Sequence, residues 1–268
     1  MTGAADEVGD AAALDAAVED LAGRLRAGEQ VLLGLDFDGV LAPLRDDPDQ
    51  SRALPGSVDA LARLAGVGGL HVALVSGRAI ADLAALAQVP EGTWLVGSHG
   101  AERGRWTGAG LERVDLELEP PVAERLADLT TRLTEAVAGS TARVEHKPAS
   151  VVLHTRTATR DDAARLTAVA LALGGEGVDA MQGKDVVELA VLHVSKGDAL
   201  ATLRAELGAS TVVYAGDDVT DERAFVTLDA TDVTVKVGDG PTAARFRVHD
   251  PDAVTALLAR MADAFGAS

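Results

Sequence analysis

The strongest constraint on the fold is a repeated alternation of short, unbroken apolar runs with stretches of helical spacing. The run VLLGL (31–35) leads into Asp36, HVALV (71–75) into Ser76, and TWLVG (93–97) into Ser98. Between them, 57–64 and 79–86 carry apolar residues at helical intervals. Unbroken runs suit strands covered on both faces, and strand–helix alternation is the pattern of a parallel sheet with crossover helices. The pattern returns late in the chain, with a helix over 196–207, the run TVVYAG (211–216) before Asp217, and VTVKVG (233–238).

Between these two halves the texture changes. Residues 106–118 read as short alternating strands, and Pro120-Pro121 precedes a helix over 122–137. Two further strand stretches, 143–156 (RVEHKPASVVLHTR) and 185–190, flank a helix over 161–173. Charged residues on these strands mark a separate α+β module. The expected organisation is an α/β core, a Rossmann-like parallel sheet formed by residues 1–103 and 190–268, with an α+β cap inserted at 104–189. Before Gly28, Leu14, Val18, Leu21 and Leu25 recur at helical spacing and predict one amphipathic helix packed on the body.

Composition narrows the function classes. Of 268 residues, 24 are basic and 42 acidic, a net charge of −18. That charge repels phosphate backbones, and no Lys/Arg cluster offsets it, so no nucleic-acid partner is expected. An anionic substrate would need local cations and a metal ion. With no cysteine, disulfides and thiolate metal sites are excluded. No apolar stretch approaches the roughly 20 residues of a membrane span, and the start MTGAADEVGD is acidic where a signal peptide is basic. A cytoplasmic monomer acting on a small molecule, without membrane attachment, is the expectation.

The chemistry concentrates at the ends of the apolar runs. In open α/β sheets ligands bind at the carboxyl ends of strands, and DFDGV (36–40) places Asp36 and Asp38 there. A carboxylate nucleophile can accept a phosphoryl group, and a second group two positions on can protonate the leaving oxygen and later activate water. Asp36 and Asp38 fit those roles, with Gly39 allowing tight backbone passage. Alone, an Asp-x-Asp-Gly segment also describes calcium loops and plain turns. Mg²⁺ takes oxygen ligands and bridges carboxylates to phosphate. Asp36, the Asp38 carbonyl and Asp217 would make such a site, with Asp218 and Asp221 of GDDVTDE (216–222) orienting the ligands. A helix N-cap followed by acidic first-turn residues explains one or two of these carboxylates; four crowded together repel one another without a cation. Ser76, by hydroxyl and backbone N–H, and Lys196 in SKG (195–197) would hold the transferring phosphoryl group. Individually they also read as a helix cap and a solvated lysine.

DFDGV, VSGR (75–78), SKG and GDDVTDE resemble, in order, the four motifs of the haloacid dehalogenase superfamily of phosphotransferases. More narrowly, DFDGVLAP, the following DDPD, VSGR, GSHGAE (97–102) and GDDVTDE are similar to the trehalose-6-phosphate phosphatase family. The resemblance spans about 33–237. It implies Mg²⁺-dependent hydrolysis of trehalose 6-phosphate through an aspartyl-phosphate, with a cap that closes over the sugar. It also implies that Arg78 and His99 face the catalytic cleft. Glu145, Lys147 and His154 of EHKPASVVLH, with Lys184 and Glu188 of GKDVVEL, are implied as sugar contacts. Two departures stand out: Ala190-Val191-Leu192 replaces the basic residue and proline usual after the second cap segment, and Val40 replaces the commoner Thr. Other substrates of the same chemistry, such as sucrose phosphate or mannosyl-phosphoglycerate, remain alternatives. So does a different class, the phosphoacceptor receiver module, which also combines an acidic Mg²⁺ site, a phosphorylated Asp, a hydroxyl and a Lys.

Overall fold

The computed structural model describes residues 3–114, 116–192 and 194–267. In chain order the elements are α1 (Gly3–Arg26), β1 (Val31–Leu35), α2 (Pro55–Leu64), β2 (Leu70–Val75), α3 (Ile80–Ala87), β3 (Trp94–Gly97), β4 (Glu102–Thr107), β5 (Gly110–Val114), α4 (Pro120–Ala136), β6 (Arg143–His146), β7 (Ser150–His154), α5 (Arg160–Leu171), β8 (Asp179–Gly183), β9 (Val186–Ala190), α6 (Lys196–Leu207), β10 (Thr211–Gly216), α7 (Val219–Thr227), β11 (Val233–Val237), β12 (Phe246–Val248) and α8 (Pro251–Ala264). Proline opens α2, α4 and α8, where its missing N–H is no loss. The chain divides into two compact units, Met1–Val114 with Val194–Ser268, and Asp115–His193.

The first unit is built on an eight-stranded sheet of order β12-β11-β10-β1-β2-β3-β4-β5, parallel from β12 to β3. Both faces are covered, as the unbroken apolar runs require. Leu33 and Leu35 of β1 and Val72 and Leu74 of β2 bury against α1, α2 and α8 on one side. Leu32, Ala73, Val75 and Tyr214 meet Ala199, Leu200 and Leu203 of α6 on the other. The amphipathic reading of α1 holds: Leu14, Val18 and Leu21 are buried, and Leu25 packs against the same core. Register then decides where chemistry can gather. Leu35 lies beside Ala215 of β10 and Leu74 of β2, so the carboxyl ends of three adjacent strands finish side by side.

The expected boundaries of the insertion need correction. β4 and β5, assigned from sequence to the inserted module, continue the first unit's sheet as antiparallel strands, Leu95 of β3 lying beside Gly104 and β5 forming the sheet's edge. Their polar residues reflect partly exposed positions near that edge rather than a new module. The units divide at 115 and 193 instead of 104 and 189. Two strands had no sequence expectation: β8 (DAMQG) lacks β-branched residues, and β12 is only three residues long.

The second unit has its own antiparallel sheet, β6-β7-β9-β8. Val151, Leu153, Val187 and Leu189 pack against Leu129 and Leu133 of α4 and Leu166 and Ala170 of α5. Because side chains alternate along a strand, the opposite face carries two other rows. One runs Glu145–Val152–Glu188–Met181 and the next Arg143–His154–Val186–Gly183. Among the described residues no helix is long and apolar enough to cross a membrane.

Leu133 is fully buried in this second core. Leu133→Ala is expected to destabilise by about 2–5 kcal/mol through lost burial and the cavity left behind. Native-state hydrogen exchange should show protection falling within 116–192 while β1, β2 and β10 keep theirs; uniform loss across both units would contradict separate cores.

Candidate active site at the carboxyl ends of three strands

Asp36 extends the β1–β10 ladder by donating its N–H to the Ala215 carbonyl (2.9 Å), which fixes the carboxylate at the strand end. Its Oδ1 accepts from the Phe37 N–H (2.6 Å) and its Oδ2 from Lys196 Nζ (2.7 Å). Lys196 opens α6, whose N-terminus is capped by a reciprocal Ser195–Asp198 pair, and its side chain is 1% exposed. The same ammonium donates to Asp221 Oδ1 (2.8 Å). Asp221 also accepts from the Tyr214 hydroxyl (2.5 Å) and, through Oδ2, from the N–H groups of Asp217 (3.0 Å) and Asp218 (3.1 Å). With all these donors it is a saturated anchor, which suits orienting the site better than ligating an ion.

Two glycines permit this crowding. At Gly39, whose φ is +75°, a Cβ would lie 2.0 Å from Asp217 Oδ2, so only glycine lets that carboxylate approach the 36–39 turn. At Gly216 a Cβ would meet the Asp221 side chain at 2.2 Å. Oxygen atoms of Asp36, Asp217 and Asp221 come within 4.8 Å of one another. A set of carboxylate oxygens with no nitrogen or sulfur donor fits a hard cation such as Mg²⁺.

The electrostatics point the same way. Burial, then Asp221 and Asp218, push the Asp217 carboxyl up to about 6. Burial also raises Asp36 well above the ordinary carboxylate range, against the pull of Lys196. Burial works to lower Lys196, but Asp36 and Asp221 outweigh it and hold the ammonium charged. Asp218 behaves differently. It caps α7, accepting from Thr220 N–H (2.8 Å), Thr220 Oγ1 (2.7 Å) and Asp221 N–H (3.0 Å). Despite burial, the Thr220 bond and the charge of Lys196 bring its carboxyl down to about 2. The capping explanation therefore covers Asp218, while Asp36 and Asp217 lack enough positive charge.

These carboxylates open onto a cleft of about 390 Å³ lined by Asp36, Asp38, Ser76, Arg78, His99, Lys196 and Asp217. Ser76 follows β2 and is buried. Its N–H is used by the Val96 carbonyl (2.9 Å), so the expectation that it offers both hydroxyl and N–H is corrected to the hydroxyl alone. Arg78 grips Asp38 with two bonds, Nε to Oδ2 (2.6 Å) and an Nη to Oδ1 (2.8 Å), and donates to the Pro48 carbonyl. Asp38 is thus held by a bidentate guanidinium fork. His99 stands over Gly77, on a turn where Ser98 and His99 both have positive φ (49° and 57°). Such conformations are held only where surrounding structure demands them; here Glu102 accepts from Ser98 Oγ (3.1 Å) and the Ile80 N–H (2.8 Å).

In the second unit the sequence candidates fall into two groups. Glu188 accepts from Ser150 Oγ (2.6 Å) and Lys147 Nζ (3.3 Å). Glu145 pairs with His154 (2.7 Å), and His154 and Lys184 line a pocket of about 340 Å³ with Arg143, Arg156 and Thr157. Sequence reasoning missed Ser150, Arg156, Tyr214 and Lys236. Arg156 lies inside the quoted strand segment, two residues after His154. Tyr214 and Lys236 sit in apolar runs, where only three-dimensional placement shows the bonds they make.

Residues 34–252 match the family model for trehalose-phosphatase. A trehalose-phosphate phosphatase of Mycobacterium avium (strain 104) is 35% identical over 252 residues, covering 88% of this chain and 63% of that protein. A bifunctional trehalose-6-phosphate synthase/phosphatase of Thermoproteus tenax is 33% identical over 254 residues, covering 91% and 33% respectively. The chain therefore spans just under two thirds of the mycobacterial relative's length. Among solved structures, the trehalose-6-phosphate phosphatase of Aspergillus fumigatus superposes with a TM-score of 0.64 at 24% identity, covering 92% of this chain and 97% of that one, and shares the fold.

Asp217 carries a folded-state value of about 6 against an ordinary 3.8. A raised acid binds more protons folded than unfolded between those values, so its contribution to stability falls as pH rises from about 4 to about 6. Metal-free protein should lose stability across that window, and added Mg²⁺ should raise Tm more at pH of about 7.5 than at about 5. Equal Mg²⁺ stabilisation at both would contradict the charge deficit.

Proposed function

Because the chain belongs to the trehalose-phosphatase family, we propose that it is a Mg²⁺-dependent phosphatase converting trehalose 6-phosphate to trehalose and phosphate. The observation that carries this reading is the Lys196 bridge between Asp36 and Asp221, with Asp217 drawn against the same turn. The Asp36 carboxylate attacks phosphorus in line, forming an aspartyl-phosphate as the bond from phosphorus to the sugar oxygen breaks. Asp38 gives that oxygen its proton. It then takes a proton from water, which attacks phosphorus and breaks the Asp36–phosphate bond. Both Asp38 oxygens accept from Arg78 in this structure, so Arg78 gives up at least one bond when Asp38 carries the proton, and its guanidinium then turns to substrate. The Ser76 hydroxyl and the Lys196 ammonium hold the equatorial oxygens. Asp36, the Asp38 carbonyl and Asp217 hold Mg²⁺, which when bound neutralises charge on the phosphoryl oxygens.

Recognition of the sugar falls to the second unit. Glu145, Lys147, His154, Lys184 and Glu188, joined by Arg156, supply donors and acceptors for hydroxyls. A polar site of this kind rejects analogues that leave its groups unpaired. A second carboxylate at Asp38 and family membership favour hydrolysis over a phosphoacceptor switch. The excess of acidic residues suits a small substrate reached through a local cation site rather than nucleic acid.

Phosphate release from a panel of sugar phosphates tests the reading. Trehalose 6-phosphate should be preferred, and chelation should abolish turnover; preference for another sugar phosphate would overturn the substrate assignment. Asp36→Asn should remove activity with the fold intact by circular dichroism. Glu188→Ala should lower kcat/KM for the disaccharide at least about tenfold more than for a small aryl phosphate, and equal losses would contradict a sugar-reading role.

A further inference from the structure

One buried charge in the first unit has no part in the chemistry above. Lys236 is the one charged residue of a wholly buried strand, β11, beside Gly216 of β10, with its side chain 6% exposed. Placing an ammonium there is costly unless its partners repay the lost hydration. Its Nζ donates to the main-chain carbonyl of Asp217. Among the described residues two carboxylates face it: Asp217's own, which the Lys236 charge pulls down against burial, and Glu222, whose Oε1 is 3.7 Å away. That oxygen is buried and has no hydrogen-bond partner, while Oε2 accepts from the Ala243 N–H (2.8 Å). Arg247, beside Lys236 on β12, turns instead to the Gly238 and Gly240 carbonyls. The ammonium is thus hydrogen-bonded to the Asp217 carbonyl, while its ion pair with Glu222 is longer and carries no hydrogen bond.

The peptide units around Asp217 are therefore gripped on both sides: Asp221 Oδ2 holds the N–H and Lys236 holds the carbonyl. Those two bonds fix the backbone from which the Asp217 carboxylate projects toward Gly39. We propose that Lys236 is a positioning residue for the cation site, aiming Asp217 through its main chain. This rests on the reading of Asp217 as a Mg²⁺ ligand.

The sign of one substitution separates positioning from plain charge balance. Removing a positive charge beside a cation site strengthens cation binding by simple electrostatics. Removing a residue that aims a ligand weakens it, by about tenfold or more for supporting groups of this kind. Calorimetric titration of the full chain with Mg²⁺, without substrate, reads this directly. Lys236→Met should bind Mg²⁺ about tenfold more weakly than the parent. Lys236→Gln, which keeps an N–H donor without charge, should fall between the two and never bind more tightly than the parent. If Lys236→Met fails to fold, the Gln variant decides alone. Binding equal to or tighter than the parent's in either variant overturns the proposal while leaving the active-site reading intact. Failure of the unsubstituted chain to bind Mg²⁺ overturns both.

Discussion

A single buried ammonium makes this candidate active site possible. Lys196 lies between Asp36 and Asp221 with its side chain almost wholly out of solvent. Isolated charges in such a setting are strongly disfavoured, and a buried pair is tolerated only where geometry is close and remaining lone pairs are satisfied. Both conditions hold here, since Asp221 takes donors on each oxygen and Asp36 takes one from the backbone. The arrangement does not reach neutrality. The acids Asp36 and Asp217 remain raised, by burial first and by the charge of Asp221 as well, against the pull of the shared ammonium. What the structure lacks in positive charge is what a divalent cation and its bound phosphate chemistry would use.

Topology delivers the participants to that ammonium. Central β1 lies between β10 and β2, all parallel and in a register that ends them together. Asp36, the Asp217 turn and Ser76 then emerge side by side without long loops. Helix α6 brings Lys196 in from one face, and its capped start holds the lysine at the first turn. On the proposed reading, substrate recognition is separated from this chemistry in the chain itself. The second unit has an independent core, and the other face of its sheet carries Glu145, Glu188, Arg143 and His154 interspersed with Val152, Met181 and Val186. Chemistry and selectivity can therefore vary independently.

Much of this was legible in the sequence because the informative residues sit at places with a period. Unbroken apolar runs predicted doubly covered strands, and the polar residue ending each run predicted the site. Asp36, Ser76 and Asp217 follow from that rule and Lys196 from its place at a helix start, and the structure places all four on one cleft. Features without a period were not legible. Strands β4 and β5 alternate like a free-standing antiparallel sheet, so their sequence says strand but not which sheet. The Asp38–Arg78 fork joins residues forty positions apart with no spacing rule to suggest it. Tyr214 and Lys236 looked like exceptions within apolar runs; their meaning lies in Asp221 and the Asp217 carbonyl, which only the fold brings near. Nothing in the sequence shows that β3 claims the Ser76 N–H.

The central claim is that Asp36, held by Lys196, is the carboxylate that becomes phosphorylated. Borohydride added during steady-state turnover of trehalose 6-phosphate reduces an acyl phosphate to the alcohol, and peptide mass spectrometry then locates the altered residue. The account predicts homoserine at position 36, dependent on both substrate and Mg²⁺. An unaltered Asp36, or reduction at Asp38 or Asp217 instead, would contradict it.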